Sequence, residues 1–314
     1  IDWGKSASLS SVLIVICMGL WLLQNYITNH NTYRLVSGKG SRHAKTRLGK
    51  GGLAGAWGWV CLVILVSIGI PYFSIIASSL IKLRGYGLAP GNFTLEHYGE
   101  LFTTDKSLRA IGNSLFLAVA SALICSVLGT LVVMAVRKAK GPLKKVLEGV
   151  SLLPEMLPAI VLVIGIMLFW NAIYDVLPLY NTMGIMVLAY VVLYVPYTVQ
   201  YVTSAFNQIN DSLIQAGRTF GGTPLYVFRR VTLPMIGRGI LGGAMMIFII
   251  AFRELVTASL IAPPNVLVVS TYINREFEQG SVSLGMAMAV LCVLITTGAL
   301  LLMNGFAERK KGAK

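Results

Sequence analysis

The feature that most constrains this 314-residue chain is a series of long stretches without any charged side chain. They cover 6–33, 51–81, 110–136, 156–174, 176–210 and 279–307. Each is long enough for the roughly 20 apolar residues that a membrane-spanning helix needs. A further apolar stretch, over residues 239 to 262, is interrupted only by Arg253 and Glu254. The sequence therefore predicts an all-α membrane protein, a polytopic helical bundle.

About seven spanning helices are expected from these stretches. Their predicted limits are 9–27, 57–80, 113–136, 149–170, 182–204, 239–262 and 283–304. The composition agrees, because 56% of the residues are hydrophobic and only 12% are charged. A short polar segment between the second and third spans, TLEHYGELF, is predicted to form a helix along the membrane surface.

The net charge of +14 indicates topology rather than nucleic-acid binding, because most of the Lys and Arg residues collect on alternate loops. The basic segments are 28–56, 137–145, 205–238 and the tail after residue 304. Basic loops face the cytoplasm, so we expect the first residues outside, the tail inside, and location in a cell (inner) membrane. The bilayer is then the first partner of the chain, and no nucleic-acid partner is expected.

These segments suggest four regions. Residues 1–27 are interpreted as the last helix of a preceding bundle that is missing or truncated, and 28–56 as a basic cytoplasmic linker. Residues 57–304 form the main domain of six helices, which contains a polar loop at 205–238. Residues 305–314 form a basic cytoplasmic tail.

The loop at 205–238 contains the segment QAGRTFGGTPLYVFRRVTLP, which is rich in Arg, Gly and Pro. Asn210, Asp211 and Ser212 are all good N-caps for a first short helix, which Gly221 and Gly222 end. Thr223 followed by Pro224 is a preferred start for a second short helix. The pattern predicts two short helices joined by a glycine hinge outside the membrane, the second closed by Leu233 and Pro234.

Two interpretations of this loop are open from its residues alone. The small residues Ala216, Gly217, Gly221 and Gly222 leave room for another backbone, and Phe220, Tyr226 and Phe228 offer anchors, which suggests docking to a partner. A solvated basic loop with helical turns is the alternative.

The same segment resembles the cytoplasmic Glu-Ala-Ala loop of permease subunits in binding-protein-dependent ABC importers. Gln215, Ala216 and Gly217 hold the three leading places, Gly221 holds the glycine place, and 231–234 supply the apolar-x-Leu-Pro ending. Gln215 and Gly217 depart from the family pattern, so the salt bridge of the family's Glu is unavailable. The resemblance implies that a coupling element binds the ATPase subunit through Gln215, Ala216, Gly217, Phe220, Gly221, Gly222, Pro224, Leu233 and Pro234.

The resemblance extends from about residue 57 to the end. RAIGNSL at 109–115, LLPEMLPAIVL at 152–162 and FRELVTASLI at 252–261 are most similar to the ferric-iron-type permeases, which fuse two bundles in one chain. It implies a type I ABC importer permease fold and import of a small solute, with ferric iron favoured. Permeases for 2-aminoethylphosphonate, thiamine or polyamines are the alternatives.

The resemblance also implies the partners of the chain. They are ABC ATPase subunits, an external solute-binding protein and a second permease bundle. No cofactor is expected on this chain, because ATP and Mg²⁺ would bind to the ATPase subunit. We therefore expect a transporter subunit and not an enzyme.

Five residues are candidates for the translocation path or its gate: Pro154, Glu155, Pro158, Arg253 and Glu254. Charged groups at membrane depth are costly unless they face protein or water, and two prolines so close together prevent a regular helix. The alternatives are an ion pair that fastens two helices, a position nearer the outer interface, and a simple kink at the start of a span.

Other classes of protein receive little support. No HExxH motif, nucleophile elbow or carboxylate pair indicates an enzyme, and the scattered Cys and His residues predict no metal site. A seven-helix receptor or channel is suggested by the span count alone. It would not need the loop at 205–238.

Overall fold

The computed structural model describes residues 49–312 and nine positions between 11 and 26. Those nine positions are helical. Most of the first predicted span and residues 28–48 of the predicted linker lie outside the described residues. The described chain is helical almost throughout, which confirms the predicted fold class.

The first described span begins earlier than predicted. Its two helices, α1 (Lys50–Ile64) and α2 (Ile70–Leu80), are joined by a π-helical turn at Leu65–Gly69 and form one apolar helix of 30 residues. The turn lies directly before Pro71, and the backbone N–H of Ile70 bonds to the carbonyl five residues back. This wider turn accommodates the proline ring, which would otherwise clash with the preceding turn of a helix.

The outer segment after α2 is held together by Asn92. Its side chain accepts a hydrogen bond from the Leu83 N–H (2.9 Å) and donates to the carbonyls of Leu83 and Gly87 (2.8 Å each). The predicted surface helix follows as α3 (Glu96–Thr103), and it leads into the long α4 (Asp105–Lys138). The prediction of a helix at TLEHYGELF is therefore confirmed.

The fourth predicted span, 149–170, is divided at the two prolines that were expected to prevent a regular helix. Helix α5 (Gly141–Met156) and helix α6 (Ala159–Ala172) meet at an angle of 104°. Pro154 lies inside α5, and the break comes at Leu157 and Pro158, which have extended backbones. A residue before proline is pushed out of the helical region, so Pro158 sets the end of α5.

Helix α7 (Met183–Asn207) corresponds to the fifth predicted span and continues into the polar loop. The sixth predicted span, 239–262, is wrong as one helix. Helix α10 begins at Leu233 and ends at Phe252, and Arg253 caps it. A separate short helix, α11 (Val256–Ile261), follows the break.

The chain ends with two helices, α12 (Val269–Gln279) and α13 (Val282–Gly312). Helix α13 continues through the region predicted as a basic tail, as far as Gly312. Within the described residues, five helices are long and apolar enough to cross a membrane, and the bent pair α5–α6 raises this to six.

Helices α4, α7 and α10 pack together at the centre of the bundle. Small residues allow the close approach: a Cβ added to Gly129 of α4 would lie 2.6 Å from Thr198 of α7. On α10, a Cβ added to Gly239 would lie 2.8 Å from the Tyr201 carbonyl oxygen, and one on Gly243 would lie 3.0 Å from the Thr198 Cα. Gly239 and Gly243, four residues apart on α10, therefore allow this helix to pack closely against α7.

The same three helices converge again at the end of the bundle next to the polar loop. Val133, Val202 and Ile236 are buried there with Phe206, and the guanidinium of Arg137 lies 4.9 Å from the Phe206 ring centre. This apolar cluster joins the ends of α4 and α7 to the start of α10.

Candidate functional site

The polar loop between α7 and α10 folds as a helical hairpin (residues 210–232), which we call the coupling hairpin after the family loop that its sequence resembles. Its first helix, α8 (Asp211–Thr219), begins where the Asn210 side chain accepts a hydrogen bond from the Ser212 N–H (3.1 Å). Its second helix, α9 (Pro224–Val227), begins where the Thr223 hydroxyl accepts a hydrogen bond from the Tyr226 N–H (3.3 Å). Of the three predicted N-cap candidates, Asn210 is thus the one that caps α8, and the predicted helix start at Thr223 is confirmed.

The turn between the two helices depends on glycine. Gly221 has φ +82°, a conformation that residues with a side chain rarely adopt. The Gly221 N–H bonds to the Arg218 carbonyl (3.0 Å) and the Gly222 N–H bonds to the Gly217 carbonyl (3.1 Å). These two bonds form a Schellman motif, which satisfies the carbonyls at the end of α8.

Val227 fixes the two helices against each other. It is buried, and a Cβ added to Gly217 or to Gly222 would lie 3.3 or 2.9 Å from its Cγ2 atom. The space that these two glycines leave is therefore filled by Val227 of the same hairpin. Around Gly221, by contrast, nothing lies within 4 Å of an added Cβ.

In the second half of the loop, the structure differs from the sequence prediction. Leu233 and Pro234 do not close a short helix, because α9, a π-helical turn at Phe228–Thr232 and α10 form one continuous helix, Pro224–Phe252. The Leu233 N–H bonds to the Phe228 carbonyl, five residues back, and this wider turn accommodates Pro234. The coupling hairpin is thus rigidly connected to α10.

The outer surface of the coupling hairpin is exposed. Phe220 has 91% of its surface exposed, Leu225 65% and Tyr226 59%. Of the other predicted coupling residues, Gln215, Ala216, Pro224, Leu233 and Pro234 are also exposed. Exposed aromatic side chains are typical anchors of protein–protein interfaces.

A surface groove runs along the second half of the coupling hairpin. It has a volume of about 620 Å³ and is lined by Thr223, Leu225, Tyr226, Arg229 and Arg230. Both arginines are exposed. The groove therefore combines an aromatic ring, an aliphatic side chain and two positive charges.

At the far end of α10, Arg253 and Glu254 lie at the break before α11 rather than inside a spanning helix. The Glu254 carboxylate accepts hydrogen bonds from the Tyr194 hydroxyl (2.7 Å) and from the Thr257 N–H (2.8 Å). The Ser270 hydroxyl donates to the Glu254 carbonyl. Glu254 thus connects the break to α7 and to α12, and it forms no ion pair with Arg253.

Glu155, the second carboxylate of the predicted path, lies near the end of α5. It accepts a hydrogen bond from the Gln200 side chain of α7. The tyrosines of α7 lie between the two carboxylates, and the rings of Tyr194 and Tyr197 have their centres 6.2 Å apart. Tyr194 and Gln200, six residues apart on α7, are therefore the partners of Glu254 and Glu155, while Pro154 and Pro158 shape the bend beside Glu155.

Several of these partners were not identified from the sequence. Val227 lies in an ordinary apolar segment, and Tyr194, Gln200 and Ser270 have no motif around them. Thr257 lies within FRELVTASLI, but nothing in that segment marks it as a partner of Glu254. Only their spatial relation to the hairpin or to the carboxylates distinguishes them. Within the described residues, no group of three or more His, Cys, Asp or Glu side chains is placed to hold a metal ion.

Comparison with known proteins gives several relatives. The chain is 28% identical over 216 residues to the trehalose transport system permease protein SugB of Mycobacterium tuberculosis, covering 66% of this chain and 77% of SugB. It is 23% identical over 305 residues to the Fe(3+)-transport system permease protein FbpB 2 of Haemophilus influenzae. That match covers 97% of this chain but only 57% of FbpB 2.

A third relative is the spermidine/putrescine transport system permease protein PotC of Haemophilus influenzae. It is 22% identical over 248 residues, which cover 79% of this chain and 94% of PotC. The relatives thus transport different solutes according to their names.

Solved structures show the same fold. A bacterial alginate ABC transporter in complex with an alginate pentasaccharide-bound periplasmic protein has a chain that matches with a TM-score of 0.67 and 17% identity, covering 82% of this chain and 94% of that one. The inward-facing MetNI methionine ABC transporter matches with a TM-score of 0.56 and 18% identity, covering 64% and 94%.

The family comparison is the most direct. Residues 126–311, more than half of the chain, match the family of binding-protein-dependent transport system inner membrane components. The match includes α7, the coupling hairpin and α10. This chain therefore belongs to that family, as a multi-pass membrane permease of the ABC importer type.

Proposed function

We propose that this chain forms part of the translocation path of an ABC importer and that its coupling hairpin transmits the motion of separate ATPase subunits. The observation that carries this proposal is the position of the hairpin. It follows α7 and continues into α10 as one helix, Pro224–Phe252. A displacement of the hairpin therefore moves two of the three central helices, and packed helices respond as rigid bodies.

The proposed orientation has the coupling hairpin in the cytoplasm. The basic segment 137–145 and the hairpin lie at the same end of the bundle, because Arg137 of α4 contacts Phe206 at the base of the hairpin. Positive charge concentrated at one end supports a cytoplasmic location for that end. The N-terminus would then lie outside and the C-terminus inside.

The proposed partners are two ATPase subunits, which bind ATP and Mg²⁺, an external solute-binding protein and a second bundle. The alginate transporter, solved with its periplasmic protein, supports the external partner. FbpB 2 is considerably longer than its match to this chain, which supports a two-bundle arrangement with residues 1–27 in the preceding bundle and residues 28–56 as a linker.

We place the translocation path along the face of α7 that carries Tyr194, Tyr197 and Gln200. Glu254 and Glu155 bind Tyr194 and Gln200 of this helix, and each lies at or next to a break in a neighbouring helix. Helix breaks are the parts of a span that rearrange most easily, because their backbone bonds are already interrupted. Pro154, Pro158 and Arg253 would then act by shaping these two breaks.

Ferric iron is the first solute to test. The iron permease relative matches 97% of this chain, whereas the trehalose permease matches 66%. Uptake of radiolabelled ferric iron, putrescine, 2-aminoethylphosphonate, thiamine and trehalose by cells that express the whole transporter would decide among these solutes. Uptake of one of the other four solutes without uptake of ferric iron would reject the iron assignment.

The coupling role has a direct test in Phe220→Ala. Phe220 is almost fully exposed, so its removal leaves the fold of the hairpin intact. An interface anchor of this kind contributes about 2 kcal/mol, so we expect binding of the ATPase subunit to weaken about 30-fold and solute-stimulated ATP turnover to fall with it. Phe102→Ala in α3, where Phe102 is 58% exposed at the other end of the bundle, is the matched control. Equal turnover in both variants would contradict the proposal.

A further inference from the structure

The coupling hairpin carries an unusual balance of charge. Residues 205–238 contain four arginines and a single acidic residue, Asp211. The place held by Glu in the family pattern is held by Gln215, which is neutral and exposed. At position 215, therefore, the hairpin cannot present the carboxylate that the family pattern has there.

Arg229 and Arg230 are the exposed charges nearest to the apolar anchors. They line the same groove as Leu225 and Tyr226. In the part of the chain that the structure describes, no acidic side chain forms an ion pair with either arginine. Lys144, on the same end of the bundle, is by contrast 3.8 Å from Glu148.

Unpaired arginines beside an aromatic ring have the composition of an interface centre. Arg and Tyr are enriched at the centres of protein–protein interfaces. The guanidinium group of Arg can bind a carboxylate with two parallel hydrogen bonds. Complementary charge across an interface also accelerates association and rejects wrong partners. The expected complement of this groove is an acidic surface.

We propose that the ATPase subunit of this transporter presents one or more carboxylates to the groove formed by Thr223, Leu225, Tyr226, Arg229 and Arg230, so that the permease supplies the positive charge of the contact. The inference rests on the proposed function, because it takes the ATPase subunit as the occupant of the hairpin surface. This arrangement of charge is the reverse of the family pattern, in which the loop contributes a negatively charged Glu.

A protein partner fits this surface better than lipid headgroups do. The first helix of the hairpin, α8, packs mainly on α9 and on the π-helical turn of the hairpin itself. The exposed Phe220, Leu225 and Tyr226 thus belong to a small projecting unit rather than to the sides of the bundle. Projecting apolar anchors around two charges form a surface that fits into a groove of another protein.

The test uses the complete transporter in nanodiscs with its own ATPase subunit, and it measures the dissociation constant of that subunit. The double variant Arg229→Glu/Arg230→Glu is expected to weaken binding at least tenfold. Arg229→Lys/Arg230→Lys keeps the charge but loses the paired hydrogen bonds of each guanidinium, so it is expected to weaken binding less than the glutamate variant does. The control Lys140→Glu/Lys145→Glu makes the same change in net charge at the start of α5 and is expected to leave the dissociation constant unchanged.

Two further measurements define the outcome. Replacing an acidic residue in the ATPase groove by Lys is expected to restore binding of the Arg229→Glu/Arg230→Glu variant, which identifies the facing carboxylate. Wild-type binding is expected to weaken when salt rises from about 0.05 to 0.5 M, since exposed charges are screened.

Normal binding of the Arg229→Glu/Arg230→Glu variant would overturn the inference and leave the proposed function standing. A defect seen in nanodiscs with anionic lipid but absent in phosphatidylcholine nanodiscs would assign the arginines to lipid and also overturn it. If the wild-type permease does not bind the ATPase subunit under any of these conditions, the proposed function itself fails.

Discussion

The coupling hairpin and the central crossing of α4, α7 and α10 both depend on glycine, but for different physical reasons. At the crossing, Gly129, Gly239 and Gly243 let one helix approach the backbone of another, and an added Cβ would meet atoms of α7 at 2.6 to 3.0 Å. In the coupling hairpin, Gly221 supplies a positive φ, and Gly217 and Gly222 make room for one valine of the hairpin itself.

The difference explains how a rigid bundle can carry a separate contact surface. The crossing lies where the three central helices pack against one another, so a change there disturbs the entire bundle. The hairpin is closed on itself by Val227 and by two backbone bonds, so it keeps its shape while its apolar side chains remain exposed. Global stability and local shape are therefore controlled by different glycines.

The largest effect is expected from Gly239→Leu at the crossing. The new side chain would clash with the Ala205 Cβ at 2.6 Å and with the Tyr201 carbonyl, so we expect a loss of about 3 kcal/mol in stability. Gly237→Leu, on the same helix, is the control because nothing lies within 4 Å of its added Cβ. Thermal unfolding in detergent measures the stability of both variants. Equal unfolding temperatures would contradict the packing role of Gly239.

An intermediate and strictly local effect is expected from Val227→Ala. Loss of this buried side chain removes the contact that joins the two halves of the hairpin, at a cost of about 2 kcal/mol. Amide hydrogen exchange should then accelerate at 211–222 while α10 keeps its protection. Leu225→Ala shortens a nearby side chain that is 65% exposed, so the exchange rates of 211–222 and of α10 should both stay unchanged. Faster exchange throughout α10 would show that the hairpin is not an independent unit.

The smallest effect, and one of opposite sign, is expected from Thr198→Val at the crossing. The Thr198 hydroxyl is fully buried and has no hydrogen-bond partner among the described residues. Its replacement by a methyl group should stabilise the protein by about 1 kcal/mol. Thr130→Val is the control, because the Thr130 hydroxyl donates to the Ser126 carbonyl (2.6 Å) and its loss brings no gain. A clear loss of stability in Thr198→Val would indicate that close packing at Thr198, not the hydroxyl, determines the response.

Much of the fold was predictable because membrane helices follow from hydropathy and length alone. The spans at 113–136, 182–204 and 283–304 correspond to α4, α7 and α13, and the helix starts at Asn210 and Thr223 follow from local capping chemistry. Proline was the main source of error. It was expected to end a helix at Pro234, but a π-helical turn placed just before it allows the helix to continue.

The two closely spaced prolines indicated an irregular helix at 154–158, but not that α5 and α6 meet at 104°. The break at 253–255 was missed, because the apolar stretch continues on both sides of Arg253 and Glu254. The position of both breaks depends on contacts from distant parts of the chain. Tyr194 and Ser270 hold Glu254 outside the helix, and Gln200 holds Glu155 beside the bend of α5. A window of neighbouring residues contains no information about such partners.

The amino-acid sequence by itself determined that this chain is a helical membrane protein, where most of its spans lie, and that a polar loop with capped helices interrupts them. It did so because hydropathy, capping and glycine conformation act over a few neighbouring residues. Only the tertiary structure decided that the hairpin continues into α10, that Val227 fills the space beside its glycines, and that α7 supplies a partner to each of the two carboxylates. These relations join residues far apart in the chain, so they arise only when the helices pack.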